Sequence, residues 1–388
     1  MERKQYIERI SKYFKSHQIV GLLGPRQCGK TTLARKYANI QNSANRENYF
    51  DLEDARDYER LQKPQLVLEK LEGLVIIDEI QLMPSLFATL RVLVDREDSK
   101  ARFLILGSAS RELINKSAET LAGRIAYIEL PPFSYLETHN LDKLWLRGGF
   151  PRSYLAPNIE ESNDWREFYI TTFLEQDIPN LGIQIPAVSL RRFWTMLAHY
   201  HGNIFNASEF GRSFGSADTT IRKYLDILTG TFMVRQLQPW QENIKKRQVK
   251  APKIYFRDSG LLHTLLNIFS EYDLQTNPKL GASWEGFALE EVVRVRQVKP
   301  HHCYFWATHT GAEIDLLIFE GNNKKGFEFK YTDAPKMTKS MRITSADLAL
   351  DEMTVIYPGA VDYQLDDKIY VKGLKQYLEE NSTLNLHA

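Results

Sequence analysis

Residues 18–32 read QIVGLLGPRQCGKTT, an apolar run followed by the spacing G-x-x-x-x-G-K-T, and the chain continues as the amphipathic segment TTLARKYA. A strand, a glycine-bracketed loop and a helix in that order commit the N-terminal region to an α/β fold, because such a loop needs a buried strand behind it and a helix opening in front. Gly24 and Gly29 let the backbone curl so that its N–H groups face phosphate oxygens, and the helix N-terminus adds the positive end of its dipole. The spacing therefore predicts a bound ATP lined by Gly24, Pro25, Arg26, Gln27, Cys28, Gly29, Lys30, Thr31 and Thr32. Lys30 is placed to neutralise β/γ-phosphate oxygens and Thr31 to set its hydroxyl on Mg²⁺. Cys28 reads as a loop-conformation residue and not as a nucleophile.

A second acidic feature follows one strand later. The run LVIIDE at 74–79 delivers Asp78 to the C-terminal end of an apolar strand, where ligands of open α/β sheets gather. Asp78 suits the Mg²⁺ shell and Glu79 suits polarising an attacking water. The run FLILGSAS then brings Ser108 and Ser110 to the same edge as readers of the γ-phosphate, or as a serine-rich turn. Arg124 in LAGR is a candidate for stabilising transition-state charge, in cis or offered to a neighbouring subunit. The apolar runs at 18–23, 48–50, 74–77, 103–106 and 125–130, spaced by helical lengths, predict a parallel sheet with helices on both faces. Pro131-Pro132 closes it.

The motifs GLLGPRQCGKTTLA, FDLED, VIIDEIQLMPSLFATLRVLVD, LILGSAS, LAGR and RGGFP resemble those of the bacterial and archaeal AAA-type ATPases joined to a C-terminal domain of unknown function 4143. The resemblance runs over nearly the whole chain. It implies an AAA-like P-loop core, a winged helix-turn-helix and a restriction-endonuclease-like domain, with boundaries expected at 1–132, 133–186 (a helical connector), 187–268 and 269–388. One departure is Ser108, which stands where most AAA proteins carry Asn.

The residues downstream point the same way. Helical patterns at 189–201, from Ser208 and at 216–230, then a strand-like pair at 232–238 and 252–256, follow the order of a winged helix. Thr219, Thr220, Arg222 and Lys223 open the expected recognition helix, while Lys245, Lys246, Arg247, Lys250 and Lys253 are expected to load the wing for contact with DNA phosphates. Farther on, Asp315 and the run Glu328-Phe329-Lys330 lie on strands joined through Asn322-Asn323. Glu328 and Lys330, two apart on a strand, share a face. With Glu285 from the preceding helix they form a candidate nuclease constellation, Asp315 and Glu328 holding a second Mg²⁺. The spacing resembles the PD-(D/E)xK nucleases, with Ile314 and Glu313 before Asp315 in place of Pro. Asp258 in YFRDSGLL is expected to cap a helix. The histidines show no metal-ligand spacing.

The chain of 388 residues carries 50 Lys+Arg against 49 Asp+Glu, a net charge of +1, so no global basic field announces nucleic acid and any such contact must be local. Cys28 and Cys303 form no CxxC pattern, which excludes a thiolate zinc site and fits a reducing cytoplasm. No apolar run approaches the ~20 residues of a membrane span. The composite expectation is a Mg²⁺-dependent ATPase acting as a switch or motor on DNA. The alternatives are a nucleotide-controlled regulatory protein that forms homo-oligomers with a silent nuclease-like domain, and an ATP-gated nuclease.

Overall fold

The structure is a computed structural model, and it describes residues 1–41, 46–109 and 121–382. The chain divides into two compact units, Met1–Phe133 with Thr171–Pro186 and Asp226–Met233, and Ser134–Ile170 with Ala187–Leu225 and Val234–Ala388. Among the described residues no helix is long and apolar enough to cross a membrane.

The first unit is built on five strands, β1 (Ile19–Leu23), β2 (Tyr49–Asp51), β3 (Gly73–Asp78), β4 (Ala101–Gly107) and β5 (Ile125–Glu129), ordered β2-β3-β4-β1-β5. Every pairing is parallel. All five expected apolar runs form strands. β1 is buried throughout because both of its faces are covered, as parallel sheets require. Successive side chains point to opposite faces, so Ile19, Val75, Ile77, Phe103 and Ile105 join one core with Leu86, Phe87, Leu90 and Leu93 of the helix Leu86–Val94. Val20, Leu22, Leu74, Ile76, Leu104 and Leu106 join the other, against Tyr6, Ile10, Leu33 and Tyr37 of the helices Lys4–Tyr13 and Lys30–Ile40. Helices thus cover both faces, as the sequence pattern predicts.

The second unit carries an eight-stranded sheet of β6 (Val234–Pro239), β7 (Lys253–Phe256), β8 (Cys303–Ala307), β9 (Glu313–Glu320), β10 (Asn323–Phe329), β11 (Glu352–Tyr357), β12 (Tyr363–Asp366) and β13 (Ile369–Gly373), in the order β12-β13-β11-β10-β9-β8-β6-β7. β8, β9 and β10 form an antiparallel meander, and β11 lies parallel to β10. The β9–β10 turn falls one residue earlier than the Asn pair suggests: Glu320 pairs with Asn323, and Gly321 takes the positive φ of 60° that the tight reversal needs. Helices Ala187–His199, Ala207–Phe214 and Asp218–Gly230 precede β6. Phe193 holds the three together, its ring centroid 5.6 Å from those of both Phe210 and Tyr224.

Asp258 caps the helix Ser259–Leu265 as expected, one oxygen accepting from the Leu261 N–H. Its other oxygen accepts from the Gly149 N–H at 2.8 Å, tying down the Gly-Gly loop. His201 lies beyond the helix that ends at His199 and is buried, its Nδ1 accepting from the Phe256 N–H at 3.0 Å. His263 is equally buried: Nδ1–H donates to the Leu146 carbonyl at 3.1 Å, leaving Nε2 to accept from the Ser283 hydroxyl at 2.7 Å. Both rings are held neutral by burial, with pKa values pushed down to about 3 for His201 and about 4 for His263. Their unfolded values lie near 6.5, so the stability they lend is complete above that pH and is lost as pH falls toward the folded values. The unfolding free energy from denaturant titration should therefore drop between pH 6.5 and about 4, by on the order of 3 kcal/mol for His263 alone. His263→Gln, which cannot gain a charge, should flatten part of that slope, and equal slopes for variant and wild type would remove His263 as its cause.

Candidate functional site

The loop after β1 is shaped by close backbone approach. A Cβ on Gly24 would lie 2.1 Å from the Leu130 carbonyl oxygen, so only glycine fits. Gln27 and Gly29 take positive φ values of 60° and 100°, curling the loop before the helix Lys30–Ile40 opens. Cys28 is fully buried, and burial pushes its thiol above its ordinary pKa. Lys30 is 4% exposed, its ammonium donating to the carbonyls of Gly24 and Pro25 at 2.9 Å each. Gln27 and Thr32 face solvent.

Thr31 donates its hydroxyl to Asp78 Oδ2 at 2.7 Å, and Tyr49 donates to the same oxygen at 2.9 Å. Asp78 is 3% exposed, and burial raises its carboxyl pKa against the pull of these bonds. A hydroxyl and a carboxylate in contact, with an ammonium close by on the same loop, are the hard oxygen donors and phosphate counter-charge that Mg²⁺ and a nucleotide triphosphate require. The residues present fit the pair.

Glu79 adopts a left-handed backbone with φ of 53°, a costly conformation for a residue with a side chain and one that clusters at active sites. Gln81 holds it there. Its amide nitrogen donates to Glu79 and, at 2.9 Å, to Ser108 Oγ, while its oxygen accepts from the Ser108 N–H at 3.4 Å. Ser108, at the end of β4, thus reaches Glu79 through one amide. Sequence reasoning assigned Gln81 no role, although it sits inside the quoted VIIDEIQLM motif. Ser110 lies outside the described residues.

Arg26 bridges Glu53 and Asp177, the latter ending five residues of π-helix, Phe173–Asp177. Partial burial would lower its pKa, but the two carboxylates hold it raised. A small cleft beside it is lined by Gln81, Ser108, Asn180 and Thr231.

Arg124 is not brought to its own chain's loop. It makes a two-pronged pair with Asp95 at 2.6 and 2.9 Å, at the C-terminal end of the helix Leu86–Val94. Ile125 pairs with Ile19 at the start of β1, whereas the loop leaves after Leu23, so roughly 13 Å of strand separates them. Because the loop leaves the far edge of the sheet, the in cis role has no geometric support.

In the second unit the four named nuclease-like residues do converge, but around an unexpected cation. Asp315 precedes the Leu316–Phe327 pair and therefore stands opposite Glu328 across the β9–β10 ladder. Asp315 Oδ2 accepts from the Phe329 N–H at 3.1 Å, and Lys330 pairs with Glu328 at 2.7 Å. Lys253 enters from β7, 5% exposed, with Nζ 3.3 Å from Asp315, 3.6 Å from Glu285 and against Glu313. The expectation that Lys253 loads the wing is thus corrected: two residues along β7, Tyr255 donates to Glu285 at 2.5 Å from the same side, and the strand turns both side chains inward. Burial and the negative charge of Asp315 push both Glu285 and Glu328 toward their neutral forms. Among the described residues no three His, Cys, Asp or Glu side chains are arranged to hold a metal ion.

Gln81→Leu keeps the volume but loses all three amide hydrogen bonds. It should lower ATP turnover about 10-fold, one order of the roughly two to four that a general base contributes, with little change in KM. Unchanged turnover would make Gln81 a packing residue only.

The comparisons with known proteins agree with the N-terminal geometry. Residues 16–139 match the AAA domain family, residues 138–272 a domain of unknown function (DUF8612) and residues 280–377 a domain of unknown function (DUF4143). Over 390 aligned residues the chain is 46% identical to "Uncharacterized protein Rv2008c" of Mycobacterium tuberculosis and to "Uncharacterized protein Mb2031c" of Mycobacterium bovis, covering all of this chain and 87% of each of them. Among solved structures it is similar to the Walker-type ATPase PABY2304 of Pyrococcus abyssi, at 13% identity over 68% of this chain and 95% of that one with a TM-score of 0.46. It is also similar to a RuvB variant of Thermotoga maritima, at 17% identity over 59% and 85% with a TM-score of 0.29. The chain belongs to the family of these mycobacterial proteins, and in it an AAA-type P-loop ATPase domain is joined to a C-terminal DUF4143 domain.

Proposed function

We propose that the chain hydrolyses ATP with Mg²⁺ and uses the nucleotide state to act on DNA. The observation that carries the first half is the contact of Thr31 with buried Asp78 beside Lys30, with strained Glu79 next in sequence. In this reading Lys30 and the N–H groups at the opening of the helix Lys30–Ile40 would bind the phosphates, and Thr31 and Asp78 would hold Mg²⁺, which supplies charge neutralisation to the β- and γ-oxygens. Glu79 orients and deprotonates the attacking water, and Ser108 reports on the γ-phosphate through Gln81.

The DNA half rests on the second unit. Three helices followed by the β6–β7 pair match the order of a winged helix-turn-helix, with Asp218–Gly230 as recognition helix. Thr219, Arg222 and Lys223 are exposed at its start, Thr220 is half-buried, and Lys245, Arg247 and Lys250 are exposed on the wing. Lys246 is engaged by Asp347 at 2.6 Å. Such local positive charge on a chain of net +1 gives DNA affinity that falls steeply with salt. We read β8–β11 with the helix Leu280–Arg296 as a restriction-endonuclease-like fold, Asp315, Glu328 and Lys330 occupying its usual constellation.

ATP turnover measured at low salt, with and without duplex DNA, tests both halves. DNA should raise the wild-type rate. Glu79→Gln should cut turnover by about 10²–10⁴ while still binding a fluorescent ATP analogue, and Lys30→Ala should lose binding. Absence of DNA binding at low salt sinks the second half; a Glu79→Gln rate within about twofold of wild type sinks the role of Glu79.

The position of Arg124 favours one refinement. A half-exposed arginine at the sheet edge opposite its own loop, paired with Asp95, is placed to serve the site of a neighbouring copy. Arg124→Ala and Lys30→Ala proteins, each inactive alone, should then recover turnover on mixing. Full activity of Arg124→Ala alone would end this reading.

A further inference from the structure

We infer that the cation of the carboxylate centre in the second unit is the ammonium of Lys253, and that this lysine closes the centre to divalent metal ions. Three carboxylates from two elements meet at one point: Glu285 from the helix Leu280–Arg296, and Glu313 and Asp315 from β9. Nζ of Lys253 sits at that point, with the side chain 5% exposed. It lies 5.8 Å from the ring centroid of Phe305. Strand pairing fixes where the side chain starts, since Lys253 pairs with Leu237 on one side and bridges Ile204 on the other.

Three carboxylates with oxygens within 3.6 Å of one point have the donor chemistry of a hard divalent cation, but with the ammonium among them they are not arranged to hold one. An ammonium satisfies it differently. It carries one charge, donates along three directions and is tethered to the fold, so an incoming metal ion must displace a covalently held competitor at very high local concentration. The second lysine, Lys330, engages Glu328, the other carboxylate facing Asp315. Solvent reaches the rim, where Glu313 and Lys330 are 38% and 39% exposed, so access is not the obstacle.

Removing the tether should open the site. Titration of the full-length protein with Mn²⁺, in the absence of nucleotide and read by electron paramagnetic resonance of the free ion, distinguishes the cases. Lys253→Ala should bind one Mn²⁺ more per chain than wild type, lose it again in Lys253→Ala/Asp315→Asn, and show a Mn²⁺-dependent rise in melting temperature that wild type lacks. Lys253→Met, which preserves the packing of the stem, serves if the alanine variant does not fold. If neither folds, wild type and Asp315→Asn are compared directly, and identical Mn²⁺ titrations support the closed centre. Wild-type binding that Asp315→Asn abolishes overturns it, as does a folded Lys253 variant that binds no more Mn²⁺ than wild type.

Discussion

Everything at the nucleotide loop depends on one backbone crossing. Where β1 ends, the Gly24 N–H donates to the Gly107 carbonyl at 3.2 Å, and the Leu130 N–H donates to the Leu23 carbonyl at 2.7 Å. Three strand ends are thereby drawn so close that a methyl group on residue 24 would overlap the Leu130 oxygen. Cys28 Sγ contacts the same oxygen at 3.3 Å. Arg3, 8% exposed, then clamps the loop from beneath, donating to the carbonyls of Cys28 at 2.9 Å and Pro131 at 2.8 Å. Its guanidinium lies 5.2 and 5.1 Å from the ring centroids of Tyr6 and Phe133. The loop is pre-organised, so ligand binding need not also provide the energy to order it.

Around that fixed loop the polar groups form a connected set. Thr31 and Tyr49 converge on Asp78, Gln81 joins Glu79 to Ser108, and Arg26 joins Glu53 to Asp177. In a partly dry cleft such contacts are stronger than in water, and breaking those of Thr31 and Tyr49 takes partners from the buried carboxylate of Asp78. The π-helical turn that carries Asp177 is a segment whose hydrogen bonding is already irregular, and such turns recur at functional sites.

The parts legible in the sequence are those whose cause is local. The five strands of the first unit follow from short apolar runs, and the loop follows from a glycine spacing that strand and helix frame on either side. Asp258 was readable as a cap because capping needs only its own following turn. What stayed hidden depends on residues far apart in the chain. Tyr49 meets Asp78 because β2 and β3 pair, Asp177 meets Arg26 across 151 positions, and Lys253 meets Asp315 across 62. The basic run KKRQVKAPK made Lys253 look like one more wing lysine. Its burial is decided by β7 joining the sheet just past the run's last exposed charge at Lys250, at a point where composition says nothing about facing.

The same distinction separates the two carboxylate centres chemically. At the nucleotide loop one buried carboxylate, Asp78, faces two hydroxyls, which are neutral and leave its charge unbalanced by them. In the second unit four carboxylates, Glu285, Glu313, Asp315 and Glu328, already face two ammoniums, Lys253 and Lys330. The remaining excess of negative charge is relieved by burial holding Glu285 and Glu328 toward protonation. Protonated carboxyls are poor metal donors, and a cluster balanced by ammoniums and protons gains little from a further cation while losing the ion pairs it has. Deleting one carboxylate still leaves three facing the two ammoniums, whereas deleting Lys253 leaves three converging carboxylates without the cation they share. The asymmetry between those two deletions follows from which partner is single: three carboxylates share the one ammonium of Lys253.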